Sequence, residues 1–199
     1  MSLLLETIKV RGRKYYHLEE HARRMNRSRR ELFGAEHPIP LGEVLRMPDD
    51  LDDRLCKCRV IYDREIRKVE YQPYVFRTCR SLRYVRADNL VYDHKYADRS
   101  AIDRLLKEAG TDDIVLLREG KVTDASYANL IFSDGKDWYT PREPLLAGIR
   151  RGLLLRSGAI READITPEAV KRFSSVMLIN ALLPIEAERS LPVTAILDE

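Results

Sequence analysis

The stretch that decides the fold is Gly120-Lys-Val-Thr-Asp124-Ala-Ser-Tyr-Ala-Asn129-Leu-Ile-Phe132. Glu119-Gly120-Lys121 reads as a turn, and Tyr127–Phe132 as an apolar strand leaving it. On its N-terminal side Ile114–Leu117 is a short buried strand. Before that, Asp98–Ala109 is an amphipathic helix with Ile102, Leu105, Leu106 and Ala109 at helical spacing, stopped by Gly110. On the other side Asp134-Gly135 signals a hairpin into Trp138-Tyr139. Thr140–Pro144 is a proline-bounded loop, Gly148–Leu155 a loop running into a helix, and Val176–Leu182 a late strand.

The first half is less strongly patterned. Leu3–Val10 alternates as a strand, Arg11-Gly12-Arg13 turns, and Lys14–Leu18 pairs back. Glu19–Phe33 reads as a helix with Ala22, Met25 and Leu32 inward, a row of arginines outward, and Gly34 at its end. His37–Pro40 is a loop and Leu41–Arg46 a short helix. Arg54–Tyr62 and Lys68–Val75 form paired strands, and Cys79–Arg86 is a polar connector. These elements predict an α+β fold in two domains, a small N-terminal α/β domain over residues 1–85 and a larger C-terminal domain over 86–199.

Composition narrows the function. The chain has 199 residues, 44% hydrophobic and 34% charged, which suits a globular protein that buries a sizeable core. A net charge of +3 argues against a nucleic-acid partner. Three cysteines are too few for a disulfide scaffold and fit a reducing, cytoplasmic setting. Glu6 and Lys9 interrupt the apolar Leu3–Leu5, so a signal peptide and a membrane span are not expected. The nine glycines form neither a dinucleotide fingerprint nor a phosphate-binding P-loop, and no nucleophile elbow is present.

Two metal-like patterns are weak. His17-Leu-Glu-Glu-His21 matches a zinc-protease spacing, but a helix beginning after His17 would turn the two rings apart. Cys56 and Cys58 have strand spacing without a second pair, and read as small buried residues. The arginines between Arg23 and Arg30 read as a solvated face, with one of them free to face inward toward a small phosphate.

Several segments, in order, are similar to the fold-type IV pyridoxal-phosphate enzymes, the group of aminodeoxychorismate lyase and the branched-chain and D-amino-acid aminotransferases. Leu5–Val10 resembles that family's first strand, and Leu18–Met25 its H-x-x-R helix. His94–Arg99 resembles the segment of the Schiff-base lysine, and Gly120–Phe132 the stretch with the ring-nitrogen acid. Thr140–Arg151 and Leu178–Leu182 resemble the later phosphate-binding segments. The resemblance spans residues 4–185. It implies a barrel-like C-terminal sheet with helices, pyridoxal 5'-phosphate as cofactor, a small amino-group-bearing substrate and a homodimer.

Carried over residue by residue, the resemblance makes Lys95 the catalytic amine. It gives Arg24, Asp124, Ile149, Arg150, Asn180 and Ala181 to cofactor binding. Arg59 and Tyr62 are candidates for a substrate carboxylate by residue type alone. The chemistry is coherent. The cofactor needs an amine, an acid at its ring nitrogen, and donors with positive charge for its phosphate. A helix starting at Gly148–Arg150 would offer its N-terminal amides to that anion. Taken singly, Lys95 reads as a surface lysine, Asp124 as a turn or cap residue, Asn129 as a structural hydrogen-bonder, and Arg99 as a helix-face ion-pair partner.

The sequence departs from the family in four ways. It begins inside the first sheet, its connector before Lys95 is short, Asp124 stands for the usual glutamate, and Arg150 stands for the usual threonine. The expected activity is elimination of pyruvate from 4-amino-4-deoxychorismate, a step of folate biosynthesis, a branch toward which Asn180-Ala181-Leu182 leans. The alternatives are amino-acid transamination, or a silent pyridoxal-phosphate-binding or anion-binding scaffold.

Overall fold

The computed structural model describes residues 2–183 and 185–198. The chain divides into two compact units, Met1–Phe76 with His94–Asp98, and Arg77–Asp93 with Arg99–Glu199. The change of unit thus falls at Phe76/Arg77, ahead of the boundary expected at residue 85. Cys79–Arg86 is not a connector, because it contains a sheet strand of the second unit.

The first unit is a four-stranded antiparallel sheet under a long helix. Strand β1 (Leu4–Arg11) turns through Gly12 and Arg13 into the short β2 (Lys14–Tyr15). Both turn residues take positive φ, at 55° and 53°, as a tight two-residue hairpin requires. Helix α1 (Leu18–Phe33) follows, and Gly34 closes it in the left-handed conformation with its N–H on the Arg30 carbonyl. A single turn, α2 (Leu41–Val44), leads to β3 (Cys56–Tyr62) and β4 (Ile66–Pro73), giving the order β2-β1-β3-β4.

Strand periodicity sets the faces. Leu4, Ile8 and Val10 of β1 and Cys56, Cys58, Val60 and Tyr62 of β3 form the core with Met25 of α1. Leu32, expected inward, is exposed, while Arg24 and Arg29 of the arginine row are buried. Arg29 is held by the carbonyls of Arg64 and His37 and by the Asn26 side chain.

A carboxylate lies in this core. Glu6 is fully buried, accepting hydrogen bonds from Arg24 Nε (2.8 Å) and Nη2 (2.6 Å) and from His21 Nδ1 (2.6 Å). Burial alone would raise its pKa. The Arg24 charge and the hydrogen bonds from Arg24 and His21 outweigh that and hold it at about 2.

The second unit is built on a nine-stranded sheet. Strand β5 (Leu82–Arg86) runs parallel to β6 (Asp113–Arg118), and α3 (Ser100–Ala109) lies in the connection between them. Leu105, Leu106 and Ala109 of α3 pack on Ile114 and Leu116. The hairpin turn Glu119-Gly120 leads into β7 (Lys121–Ala125), which the polar sequence concealed, then β8 (Asn129–Ser133) and β9 (Trp138–Pro141). Helix α4 (Ile149–Arg156) packs Leu154 and Leu155 against Ile131, Met177 and Ile179. Strand β10 (Arg161–Ala163), the turn α5 (Pro167–Val170), β11 (Ser175–Ile179), β12 (Leu191–Pro192) and β13 (Ile196–Leu197) complete the unit.

The sheet branches at β8, which pairs with β9 and β11 but meets β7 in a single register pair, Asp124 with Asn129. Gly148, before α4, has φ −71°, a conformation open to any residue. What requires glycine there is space, because a Cβ would stand 1.9 Å from Asn129 Oδ1. Among the described residues no helix is long and apolar enough to cross a membrane.

Gly148→Ala is expected to lower the unfolding free energy by about 1–3 kcal/mol through overpacking against Asn129. Gly152→Ala, inside α4 and only 3.4 Å from the flexible end of Arg156, should instead raise it by up to about 1 kcal/mol. Urea titrations of the two variants check the contrast. The Glu6 carboxyl gives a pH prediction. It stays ionised in the folded chain down to about 2, against an ordinary 4.5. Its stabilisation is therefore complete above pH 5 and lost as pH falls toward 2, about 3 kcal/mol in all. Glu6→Gln should be less stable at pH 7 and show a flatter acid limb in the same titrations.

Candidate functional site

In the first unit, β1 organises two of the expected residues. The Leu5 amide donates to the Lys95 carbonyl at 2.8 Å, and the Ala97 amide donates to the Leu3 carbonyl, so residues 94–98 run beside the strand. Leu4 bridges Tyr96, whose ring packs on the unit's core. His94 shares a 3.0 Å hydrogen bond between its Nδ1 and Ser28 Oγ on α1. Lys95 is half-buried. The adjacent strand residue, Glu6, orients Arg24, one turn before Ser28 on the same helix. Arg24, expected to grip a phosphate, thus has two guanidinium nitrogens on a carboxylate of its own unit.

Arg59 and Tyr62 do not form a carboxylate clamp. They are three residues apart on β3, so the strand sends them to opposite faces. Tyr62 is wholly buried in the core, where burial raises its pKa, and Arg59 pairs with Glu70 at 3.2 Å. His17 and His21 also diverge. His17 sits in the left-handed turn before α1, and His21 is buried on Glu6. Among the described residues no group of three or more His, Cys, Asp or Glu is arranged to hold a metal.

In the second unit the expected residues form a chain of contacts. Asp124 is buried at the end of β7, where its Oδ1 accepts from Asn129 Nδ2 at 2.6 Å and its Oδ2 from the Leu146 amide at 2.9 Å. Asn129 Nδ2 also reaches the Leu146 carbonyl at 2.9 Å. Burial penalises the ion and raises the Asp124 pKa to about 6, against the opposing pull of these bonds and of the Arg151 charge. Arg151 is fixed by the Pro141 carbonyl and Glu162, each at 2.8 Å.

Three residues past Leu146, Ile149 and Arg150 open α4. Gly148 supplies no side-chain cap, so the first-turn amides point outward from an uncapped N-terminus. Arg150 Nε is buried with no hydrogen-bond partner among the described residues, and burial lowers its pKa. Its Nη2 touches the Leu183 carbonyl at 3.4 Å. That contact joins α4 to the turn after β11.

Asn180 differs from expectation. Its Oδ1 accepts from the Leu182 and Leu183 amides, both at 2.9 Å, and its Nδ2 donates to the Tyr127 carbonyl at 3.5 Å. The side chain serves the protein's own backbone, and Ala181 lies inside the turn that it caps. Sequence reading missed Glu6, for which a lone carboxylate on the inward face of an apolar strand was the available signal, and it placed Gly148 at the helix start without its close fit against Asn129.

The sequence model of the family described as Amino-transferase class IV matches residues 3–191. An uncharacterised protein of Haemophilus influenzae is 37% identical over 182 residues, covering 90% of this chain and 97% of that one. A solved structure from Haemophilus somnus 129PT, provisionally named a 4-amino-4-deoxychorismate lyase, is 29% identical with a TM-score of 0.83, over 93% of this chain and 98% of that one. One from Mesorhizobium loti, provisionally named an amino-acid aminotransferase, superposes over the full length of both chains with a TM-score of 0.80 at 23% identity, a likeness of fold. Members of the matched family depend on pyridoxal phosphate and act as aminotransferases or lyases. With nearly its whole length matched, this chain belongs to the class IV aminotransferase family.

Proposed function

We propose that this enzyme eliminates pyruvate from 4-amino-4-deoxychorismate to leave 4-aminobenzoate. The observation that carries the reading is the 29% identity and near-complete mutual coverage with the Haemophilus somnus protein of that name. The reading puts the enzyme in folate biosynthesis, in the cytoplasm.

The residues suit the cofactor. The orphaned Arg150 Nε and the uncapped first turn of α4 together make an anion receptor. A carboxyl near 6 would be held ionised by a protonated ring nitrogen beside it. When bound, pyridoxal phosphate supplies an aldehyde for an amine and a ring that accepts electrons from a bond broken next to that amine.

The protein's own residues do the rest. By the resemblance, Lys95 Nζ would be the amine that takes the cofactor's aldehyde, and when free it could accept a proton from the carbon beside a substrate amine. Asp124 would supply a negative charge for a protonated ring nitrogen. Within the second unit, Arg150, the Ile149 and Arg150 amides and the Ala181 amide would hold the phosphate. Arginine at 150 replaces a hydroxyl with fixed charge, which suits a dianion. In the elimination the ring would lose a carbon-bound proton and its bond to the enolpyruvyl oxygen; the ring becomes the aromatic amine, and the leaving enol takes the proton at its methylene carbon to become pyruvate. The assembly carried by the resemblance is a homodimer, for which Val75 and Val91 offer strongly exposed apolar surface.

Three measurements test this. Purified protein with pyridoxal phosphate should become yellow, and Lys95→Ala should remain colourless. Wild type should release pyruvate from 4-amino-4-deoxychorismate, whereas turnover of an amino-acid and keto-acid panel in its place would make it a transaminase. Asp124→Asn should weaken cofactor binding at least about tenfold. Asp124 also sets a pH dependence. Its raised pKa makes the ion the destabilised form, so stability of the cofactor-free chain falls as pH rises from about 4 through about 6. Relative to Asp124→Asn, which cannot ionise, wild type should lose about 3 kcal/mol over that range in urea titrations.

A further inference from the structure

Beyond Asp124 the β7–β8 connection is three residues, Ser126-Tyr127-Ala128, and its backbone groups are gripped from four sides. The Ser126 amide donates to Asp113 Oδ1 on β6 at 2.9 Å. The Ser126 carbonyl accepts from Arg99 Nη2 at 2.8 Å. The Tyr127 carbonyl meets Asn180 at 3.5 Å, and the Ala128 carbonyl takes the Ala125 amide at 2.8 Å. Asp113 is itself buried, with Oδ1 also accepting from the Ile114 amide at 2.8 Å, so its carboxylate is locked to its own strand. Arg99 precedes α3 and is steadied by Asp103 at 3.4 Å.

This bracket compensates a weakness in the sheet. Strands β7 and β8 share only one register pair, Asp124 with Asn129, and on the other side the β6–β7 register shifts between the pairs Val115–Ala125 and Leu117–Val122, so Asp124 has no register partner on β6. A carboxylate with few rotatable bonds follows its backbone closely, and small shifts at a charge-stabilising group lose much of its effect. We propose that Arg99 and Asp113 are positioning residues for Asp124, acting through Ser126 to fix the turn that sets the direction of its carboxylate. Asp124's own hydrogen bonds come from Asn129 and Leu146. The inference rests on the cofactor role proposed for Asp124, while the bracket itself is independent of it.

The experiment is a double-mutant cycle on the full-length chain, reading the dissociation constant of pyridoxal 5'-phosphate. Arg99→Met should weaken binding about five- to tenfold, the effect of one hydrogen bond. Asp124→Asn should weaken it further, and the double variant should be no worse than Asp124→Asn alone. Arg99→Lys, which keeps a donor for the Ser126 carbonyl, should recover most of the loss. Asp113→Ala should behave like Arg99→Met, and it serves in the cycle if Arg99→Met does not fold. Losses that multiply in the double variant would overturn the proposal, because a merely structural role acts independently of Asp124. If wild type binds no pyridoxal phosphate, the proposed function fails and hydrogen exchange decides the bracket. At least tenfold faster exchange confined to the Ser126–Ala128 amides in Arg99→Met then upholds it, and unchanged exchange there overturns it.

Discussion

The second unit depends on a carboxylate buried where its sheet divides. Asp124 lies at the one register pair joining β7 to β8, and Asn129, its partner across the ladder, is also its side-chain donor. Asn129 has a second bond to the Leu146 carbonyl, whose own amide closes on Asp124. A strand end, its neighbour and a loop are thereby tied through two side chains. Removing the ion from water is unfavourable, and the two donors offset only part of that, which leaves the pKa near 6. The ion is therefore the disfavoured form of this group in the folded chain.

The first unit solves a similar problem in the opposite sense. Glu6 is as buried as Asp124, yet its pKa is depressed, because a full guanidinium charge and two charge-assisted hydrogen bonds face it. The Glu6 pair is internally satisfied and orients Arg24. The Asp124 group has neutral donors and a more distant Arg151. Two buried carboxylates therefore take different roles because of their partners. One stays ionised far into acid, and the other loses its ion near pH 6.

Elements built on alternation or helical spacing were readable in the sequence: β1, α1, the β3–β4 pair, α3, β6 and α4 fall where the pattern puts them. Those that were hidden carry polar residues inward. β5 reads as a connector because Arg83 and Arg86 interrupt Leu82 and Tyr84. β7 is obscured because two of its buried positions are Thr123 and Asp124. The arginine face of α1 looked solvated because the partner that buries Arg24, Glu6, is eighteen residues away. At the site, residue type indicated Asp124 and Arg150 only through resemblance to a family. The Asn180 oxygen caps its own turn, a use that looks like anion binding in a sequence. Arg59 and Tyr62 failed on parity, which a strand reading could have checked.

The substitutions at 124 and 150 gain their meaning from the steric fit at Gly148. The absence of a Cβ at 148 lets α4's first turn approach Asn129, the group that holds Asp124. The same approach brings the helix N-terminus into the neighbourhood, with Arg150 on its first turn. A long cationic side chain can reach an anion from farther than a threonine hydroxyl, so the shift of the acid and the exchange of threonine for arginine are compatible within one geometry. Glycine at 148 is what allows this approach, and for that reason the contact between Asn129 and α4 constrains both the donor that holds Asp124 and the helix start that carries Arg150.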